Sequence, residues 1–162
     1  MELEFRKLRR SEILQAAELA ARSFDDYEYF TNWFPEKESR NRFQRSVISH
    51  EYRTNYGRAD YLVAMDAATG QPCHDYQKTG DGIWYASSLT VDPAFQGTGV
   101  GTRFLEYWED YVRERGGKQL VFFTNSKKNL DFYLKRGYEV FDERGIDYNG
   151  KTMCSWSLKK TM

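Results

Sequence analysis
From the N-terminus onward, the spacing of apolar positions changes several times. Leu3, Phe5 and Leu8 lie in a short extended start that alternates with Glu4 and Arg6. Ser11 is placed to cap a helix, and behind it Ile13, Leu14, Ala17, Ala20, Ala21 and Phe24 recur at helical spacing. Residues 25–35 mix acids, aromatics and Pro35 and read as a loop. Residues 37–55 return to a helical period, with Phe43, Val47, Ile48 and Tyr52 on one stripe. Tyr61 to Met65 reads as a buried strand. Ala68-Thr69-Gly70 makes a turn, a strand follows near 71–77, and Gly80-Asp81-Gly82 leads into a stronger one, Ile83 to Val91, ended by Asp92-Pro93.

The second half is more sharply punctuated. Val100, Phe104, Leu105, Trp108, Tyr111 and Val112 define an amphipathic helix that Gly116-Gly117 stops. Gln119 to Thr124 is an apolar strand. Asn125 or Ser126 caps a short helix that runs to Arg136 and is closed by Gly137. Tyr138 to Glu143 and Lys151 to Leu158 pair through Asn149-Gly150, a hairpin signal. The predicted order is β-α-α-β-β-β-α-β-α-β-β. This gives an α/β (α+β) fold in which helices cover the faces of a mixed sheet. No repeat, low-complexity stretch or linker divides residues 1–162, so the expectation is a single domain.

Composition narrows the classes. With 40% apolar and 30% charged residues, the chain belongs with folded globular proteins. Lys plus Arg and Asp plus Glu both number 24, so there is no basic field to meet nucleic acid. No apolar run is long enough to cross a bilayer. Without a signal peptide pattern, Cys73 and Cys154 are expected as free thiols, which points to a cytoplasmic setting.

The candidate chemistry begins at Gln96-Gly97-Thr98-Gly99-Val100-Gly101, between a strand and a helix. A helix N-terminus leaves N–H groups unpaired and carries partial positive charge, and glycines let that backbone approach a phosphate closely. A nucleoside-triphosphate loop needs Gly-Lys-Ser/Thr at its end, where this chain has Gly101-Thr102-Arg103. A dinucleotide fingerprint needs glycine where Thr102 stands.

This run resembles the Gln/Arg-x-x-Gly-x-Gly/Ala signature of the GNAT acetyltransferase superfamily, and Leu89-Thr90-Val91-Asp92-Pro93 resembles the end of that family's fourth strand. A second stretch, Asn129-Leu130-Asp131-Phe132-Tyr133 through Gly137-Tyr138, is similar to the family's Asn-x-x-Phe-Tyr-x-x-x-Gly-Phe segment. The segment 124–133, the ending Met153 to Leu158 and the pieces Ser23-Phe24-Asp25-Asp26 and Phe34-Pro35 are most similar to the puromycin-acetyltransferase-like branch. The resemblance implies a mostly antiparallel GNAT-like sheet of about seven strands flanked by about four helices. It implies acetyl-CoA as co-substrate, no metal, an amine acceptor and a possible homodimer. Leu89, Thr90 and Val91 would pair with the pantetheine arm. The loop Gln96, Gly97, Thr98, Gly99, Val100, Gly101 and Thr102 would hold the pyrophosphate. Asn129 would bond the cofactor arm, and Tyr133 would bind at the sulfur and act as general acid. A phenol is protonated at neutral pH and can donate to a leaving thiolate.

The resemblance fails at two positions. The family's asparagine seven residues before this tyrosine is here Ser126, and the glutamate that several members place eleven residues before the loop glutamine is here Tyr85. Neutral tyrosine is a poor base. Ser87 and Ser88 could hold a water that relays the proton. Asp25, Asp26 and Glu28 form an acidic cluster that would draw a cationic amine; Asp81 and His74 are weaker candidates. Three functions stay open on the sequence: acetyl transfer to a small-molecule amine, acetyl transfer to a protein lysine or N-terminus, and a non-catalytic acyl-CoA sensor.

Overall fold
In the computed structural model, which describes residues 2–66, 82–86, 89–148 and 150–162, the chain opens with strand β1 (Leu3–Lys7). Three helices follow, α1 (Ile13–Ser23), α2 (Glu28–Trp33) and α3 (Lys37–Asn55). After β2 (Leu62–Asp66) and β3 (Ile83–Tyr85) come α4 (Val100–Glu114), β4 (Gln119–Thr124) and α5 (Lys127–Leu134). A hairpin of β5 (Glu139–Tyr148) and β6 (Lys151–Thr161) closes the chain. Strands β1 and β2 pair antiparallel. The other four form a sheet in the order β3-β4-β6-β5, parallel only between β3 and β4. This is the mixed, mostly antiparallel α/β class expected, with six strands among the described residues against about seven and five α-helices against about four. The strand near 71–77 and the turn residues 68–70, 80 and 81 lie outside the described residues.

Two buried clusters hold the layers together. Leu62, Trp84, Phe104, Trp108, Leu120 and Leu158 bind α4 to the sheet, and Leu8, Ile13, Tyr52, Tyr61 and Val63 bind α1 and α3 to β1 and β2. The period-2 alternation of β4 decides which side chains reach the first cluster: Leu120 and Phe122 point inward and Phe123 outward. Glu109 on α4 is the buried charge of this face. Tyr138 donates to its Oε1 at 3.0 Å and Lys160 to its Oε2 at 2.7 Å, so its burial is compensated.

Three expectations needed correction. Residues 25–35 are not all loop: Tyr27 takes an extended conformation and accepts backbone bonds from Phe30 and Thr31, starting α2. Six residues are too few to display a period. The stripe of α3 is rotated, with Phe43 and Val47 exposed while Arg40, Gln44, Ser49 and Tyr52 are buried. The inward face is polar because loop carbonyls must be satisfied there. Arg40 donates to Phe34 O and Pro35 O, and Gln44 donates to Phe24 O. The strand expected from Ile83 to Val91 is regular only to Tyr85; Ala86 N–H still bonds Val121 O at 2.8 Å. Further on, the Val91 carbonyl bonds the Ser23 hydroxyl and the Gln96 side-chain amide, both at 3.1 Å, instead of a strand partner.

Candidate active site
The departure of residues 89–91 from the sheet carries the chain into the glycine loop. Asp92 accepts from Ala94 N–H at 3.0 Å and starts a turn at Pro93–Phe95. Thr98 bonds Phe95 O through its hydroxyl at 2.7 Å. Gly99 then caps α4 with φ +86°, a left-handed conformation that side chains other than glycine adopt only with strain. No side chain caps this helix: the Thr102 and Arg103 amides both bond Gly99 O at 3.1 Å, which leaves the amides of Val100 and Gly101 ahead of them as the ones able to meet an anion. A Cβ built on Gly97 or Gly99 would meet no protein atom within 4 Å.

That open space is part of a cavity of about 600 Å³. One wall is Leu89, Thr90, Val91, Gln96, Gly97, Gly99, Gly101 and Thr102. Thr98 and Val100 do not line it: the Thr98 hydroxyl is spent on Phe95, and Val100 is buried in the core. Gln96, by bonding Val91 O, shapes the loop.

Helix α5 supplies the floor. Ser126, the residue at the family's asparagine position, is its N-cap and accepts from Asn129 N–H at 3.4 Å. Asn129 and Tyr133, one turn apart, both face the cavity. Tyr133 is buried among Phe122, Phe132 and Tyr138. Burial, with a smaller push from Tyr27, holds its phenol well above the ordinary value against the pull of the Arg136 charge. Among the described residues nothing hydrogen-bonds its hydroxyl. Lys128 and Arg136 also line the cavity. Arg136 stacks 3.6 Å from the Phe132 ring centre and donates to Thr102 Oγ1 at 2.6 Å, tying α5 to the start of α4.

The opposite wall comes from the segment after α1. Ser23, Phe24, Asp26 and Tyr27 face the cavity. The acidic cluster does not act as one unit. Asp25 turns to Lys37 at 2.6 Å and Arg40 at 3.0 Å, and the Lys37 hydrogen bond, helped by Arg40, holds its carboxyl below the usual range against desolvation. It anchors the loop and does not line the cavity. Asp26 is exposed at the cavity. The Glu28 side chain, Ser87, Ser88, His74 and Asp81 lie outside what the structure describes. Tyr85 is half-buried and away from this cavity; burial first, then the charge of Glu51, raises its phenol, which makes it no better a base. Sequence reasoning missed Tyr27, Phe95, Lys128 and Arg136. The Phe132–Arg136 spacing of four was a legible signal. Tyr27, in a segment without period, gave none.

A GNAT acetyltransferase domain model matches residues 57–140, just over half of the chain. The chain belongs to the GNAT acetyltransferase family. Solved structures of this GNAT protein's fold include a GCN5-related N-acetyltransferase from Rhodopseudomonas palustris, with 19% identity, TM-score 0.72, and coverage of 100% of this chain and 97% of that one. The PaiA N-acetyltransferase of Thermoplasma acidophilum, solved with coenzyme A, has 17% identity, TM-score 0.72 and full coverage of both chains. The ribosomal-protein-S18-alanine N-acetyltransferase of Escherichia coli has 13% identity, TM-score 0.72, and coverage of 99% and 94%. At these identities the likeness concerns the fold. Comparison with curated proteins gives no match. GNAT enzymes use acetyl-CoA as co-substrate, and the cavity suits it: the amides at the start of α4 on one side, and on the other the α5 floor with Asn129, Tyr133 and the cations Lys128 and Arg136. Among the described residues of this GNAT chain no helix is long and apolar enough to cross a membrane, and no group of three His, Cys, Asp or Glu side chains could hold a metal.

Proposed function
We propose that this protein transfers an acetyl group from acetyl-CoA to the primary amine of a small molecule by direct attack, with Tyr133 as general acid. The observation that carries this reading is that the Tyr133 hydroxyl, unbonded among the described residues, shares one cavity with the glycine loop. The pyrophosphate would lie on the first-turn amides of α4 near Lys128 and Arg136, and the pantetheine arm would run along Leu89 to Val91. Asn129 would hold that arm from α5, bringing the thioester to Tyr133.

The amine nitrogen attacks the thioester carbonyl, a backbone N–H near residues 89–91 receives the oxyanion, and the carbon–sulfur bond breaks. Tyr133 passes its proton to sulfur. The Asp26 carboxylate draws the amine in as its cation, and the amine sheds one proton to solvent at the open mouth before it attacks and a second once the carbon–nitrogen bond has formed. The raised Tyr133 phenol keeps its proton across the physiological range, as an acid must. Likeness to the puromycin-acetyltransferase branch in 124–133 and 153–158 supports a small acceptor, and a homodimer is compatible with the same likeness.

The test is thiol release from acetyl-CoA across a panel of small amines and one N-terminal peptide. Turnover with small amines alone supports the proposal, and turnover with the peptide alone replaces the acceptor class. CoA binding without any turnover would leave a sensor. Tyr133→Phe should lower kcat by about 100-fold, with CoA affinity, measured calorimetrically, nearly unchanged. Unchanged kcat removes Tyr133 as the acid.

A further inference from the structure
Tyr133 has a difficult task. An ordinary phenol, of pKa about 10, is already a weaker acid than a thiol of about 8.5. Burial of Tyr133 adds to the cost of leaving negative charge on its oxygen. Something in the cavity must offset that charge as the proton moves to sulfur.

We propose that Tyr27 is a positioning residue for this proton transfer, its hydroxyl donating toward the Tyr133 oxygen and leaving sulfur. The inference rests on Tyr133 as the acid. Tyr27 faces the same cavity from the opposite wall. Its oxygen accepts the backbone N–H of Asn125 at 2.9 Å, which fixes the phenol across the cleft and leaves its own proton to be donated. Edge contact with the Phe24 ring at 5.6 Å, and the Phe30 ring at 6.2 Å, restrict its swing. A donor here is ill suited to the incoming amine, whose lone pair must stay available for attack. It suits the end of the cavity where negative charge develops.

The transfer stays balanced. One proton goes from Tyr133 oxygen to sulfur as the carbon–sulfur bond breaks, the cationic amine releases one proton to solvent before attack and one after it, and Tyr133 regains one from solvent after CoA departs. Tyr27 gains and loses none.

The experiment is a double-mutant cycle on the whole chain, reading kcat and the KM for acetyl-CoA in wild type, Tyr27→Phe, Tyr133→Phe and the double variant. Tyr27→Phe should lower kcat about tenfold with KM within about twofold, and should add less than about twofold to Tyr133→Phe. Losses that multiply would mean that Tyr27 acts on the loop and not through Tyr133, and would overturn the inference, as would an unchanged kcat. If Tyr133→Phe alone turns over normally, the acid assignment itself has failed, an outcome recognisable before Tyr27 is considered. Should Tyr27→Phe not fold, 3-fluorotyrosine at position 27 keeps the shape and alters the strength of its O–H donor. The kcat should then change with the KM for acetyl-CoA within about twofold, and an unmoved kcat overturns the inference.

Discussion

The two walls of the cavity are built by different means. The wall proposed for the donor works through backbone: Gly97 and Gly99 at positive φ, a first turn of α4 with no side-chain cap, and the chain at 89–91 outside the regular strand. The wall proposed for the acceptor works through side chains. Asp25 is pinned by Lys37 and Arg40, Gln44 holds Phe24 O, Tyr27 reaches Asn125, and Asp26 is left exposed. A wall made of amides and glycines has few sequences that satisfy it. A wall made of ion pairs and rings can be rebuilt many ways, so it can vary with the acceptor while the donor stays fixed.

The harshest test of this contrast is Gly99→Val. A β-branched residue at φ +86° costs about 1–2 kcal/mol, and its side chain would occupy the open space beside the amides. CoA affinity should fall by more than about 100-fold in calorimetry; normal binding would take the phosphate away from this loop. Asp26→Asn probes the other wall more gently. The KM of a cationic amine should rise about threefold to tenfold, with a weaker salt dependence and with the KM for acetyl-CoA unchanged. A shift in the acetyl-CoA KM instead would show that the two walls are not separable.

The smallest effect concerns their junction. Arg22 on α1 meets Asp92 at 2.7 Å, just ahead of the glycine loop. Desolvation opposes the charged carboxyl, but the Arg22 hydrogen bond and the Ala94 N–H together hold it below its ordinary value. A depressed carboxylate stabilises the fold above its unfolded pKa, near 3.9, and that contribution disappears as pH falls through the folded value. The stability gap between wild type and Asp92→Asn, read by thermal unfolding, should therefore be small at neutral pH, at most about 1 kcal/mol, and close below about pH 4. A gap that persists in acid would assign Asp92 another role.

The same contrast explains what could be read in advance. Glycines 97, 99 and 101, and the Asn129–Tyr133 spacing, are local signals, and the structure places these residues around one cavity. The helix 100–114 was equally plain, since Val100, Phe104, Leu105, Trp108 and Val112 all enter one core. The acceptor side was not. Gln44 and Arg40 are buried for hydrogen bonds to carbonyls at 24, 34 and 35, so hydrophobic periodicity pointed instead to Phe43 and Val47. Asp25 and Asp26 are neighbours with opposite fates, decided by Lys37 and Arg40, residues whose proximity only the folded chain reveals.

The Tyr27–Asn125 hydrogen bond joins positions 98 residues apart, and Ser23 reaches Val91 across 68. The glycine loop closes its own bonds within five residues, from Gln96 to Val91 and from Thr98 to Phe95. Closing a long loop costs more chain entropy than closing a short one, and contacts between distant residues form late. Chain entropy therefore favours early closure of the glycine turn, whereas the wall opposite it can close only after distant parts of the chain have met.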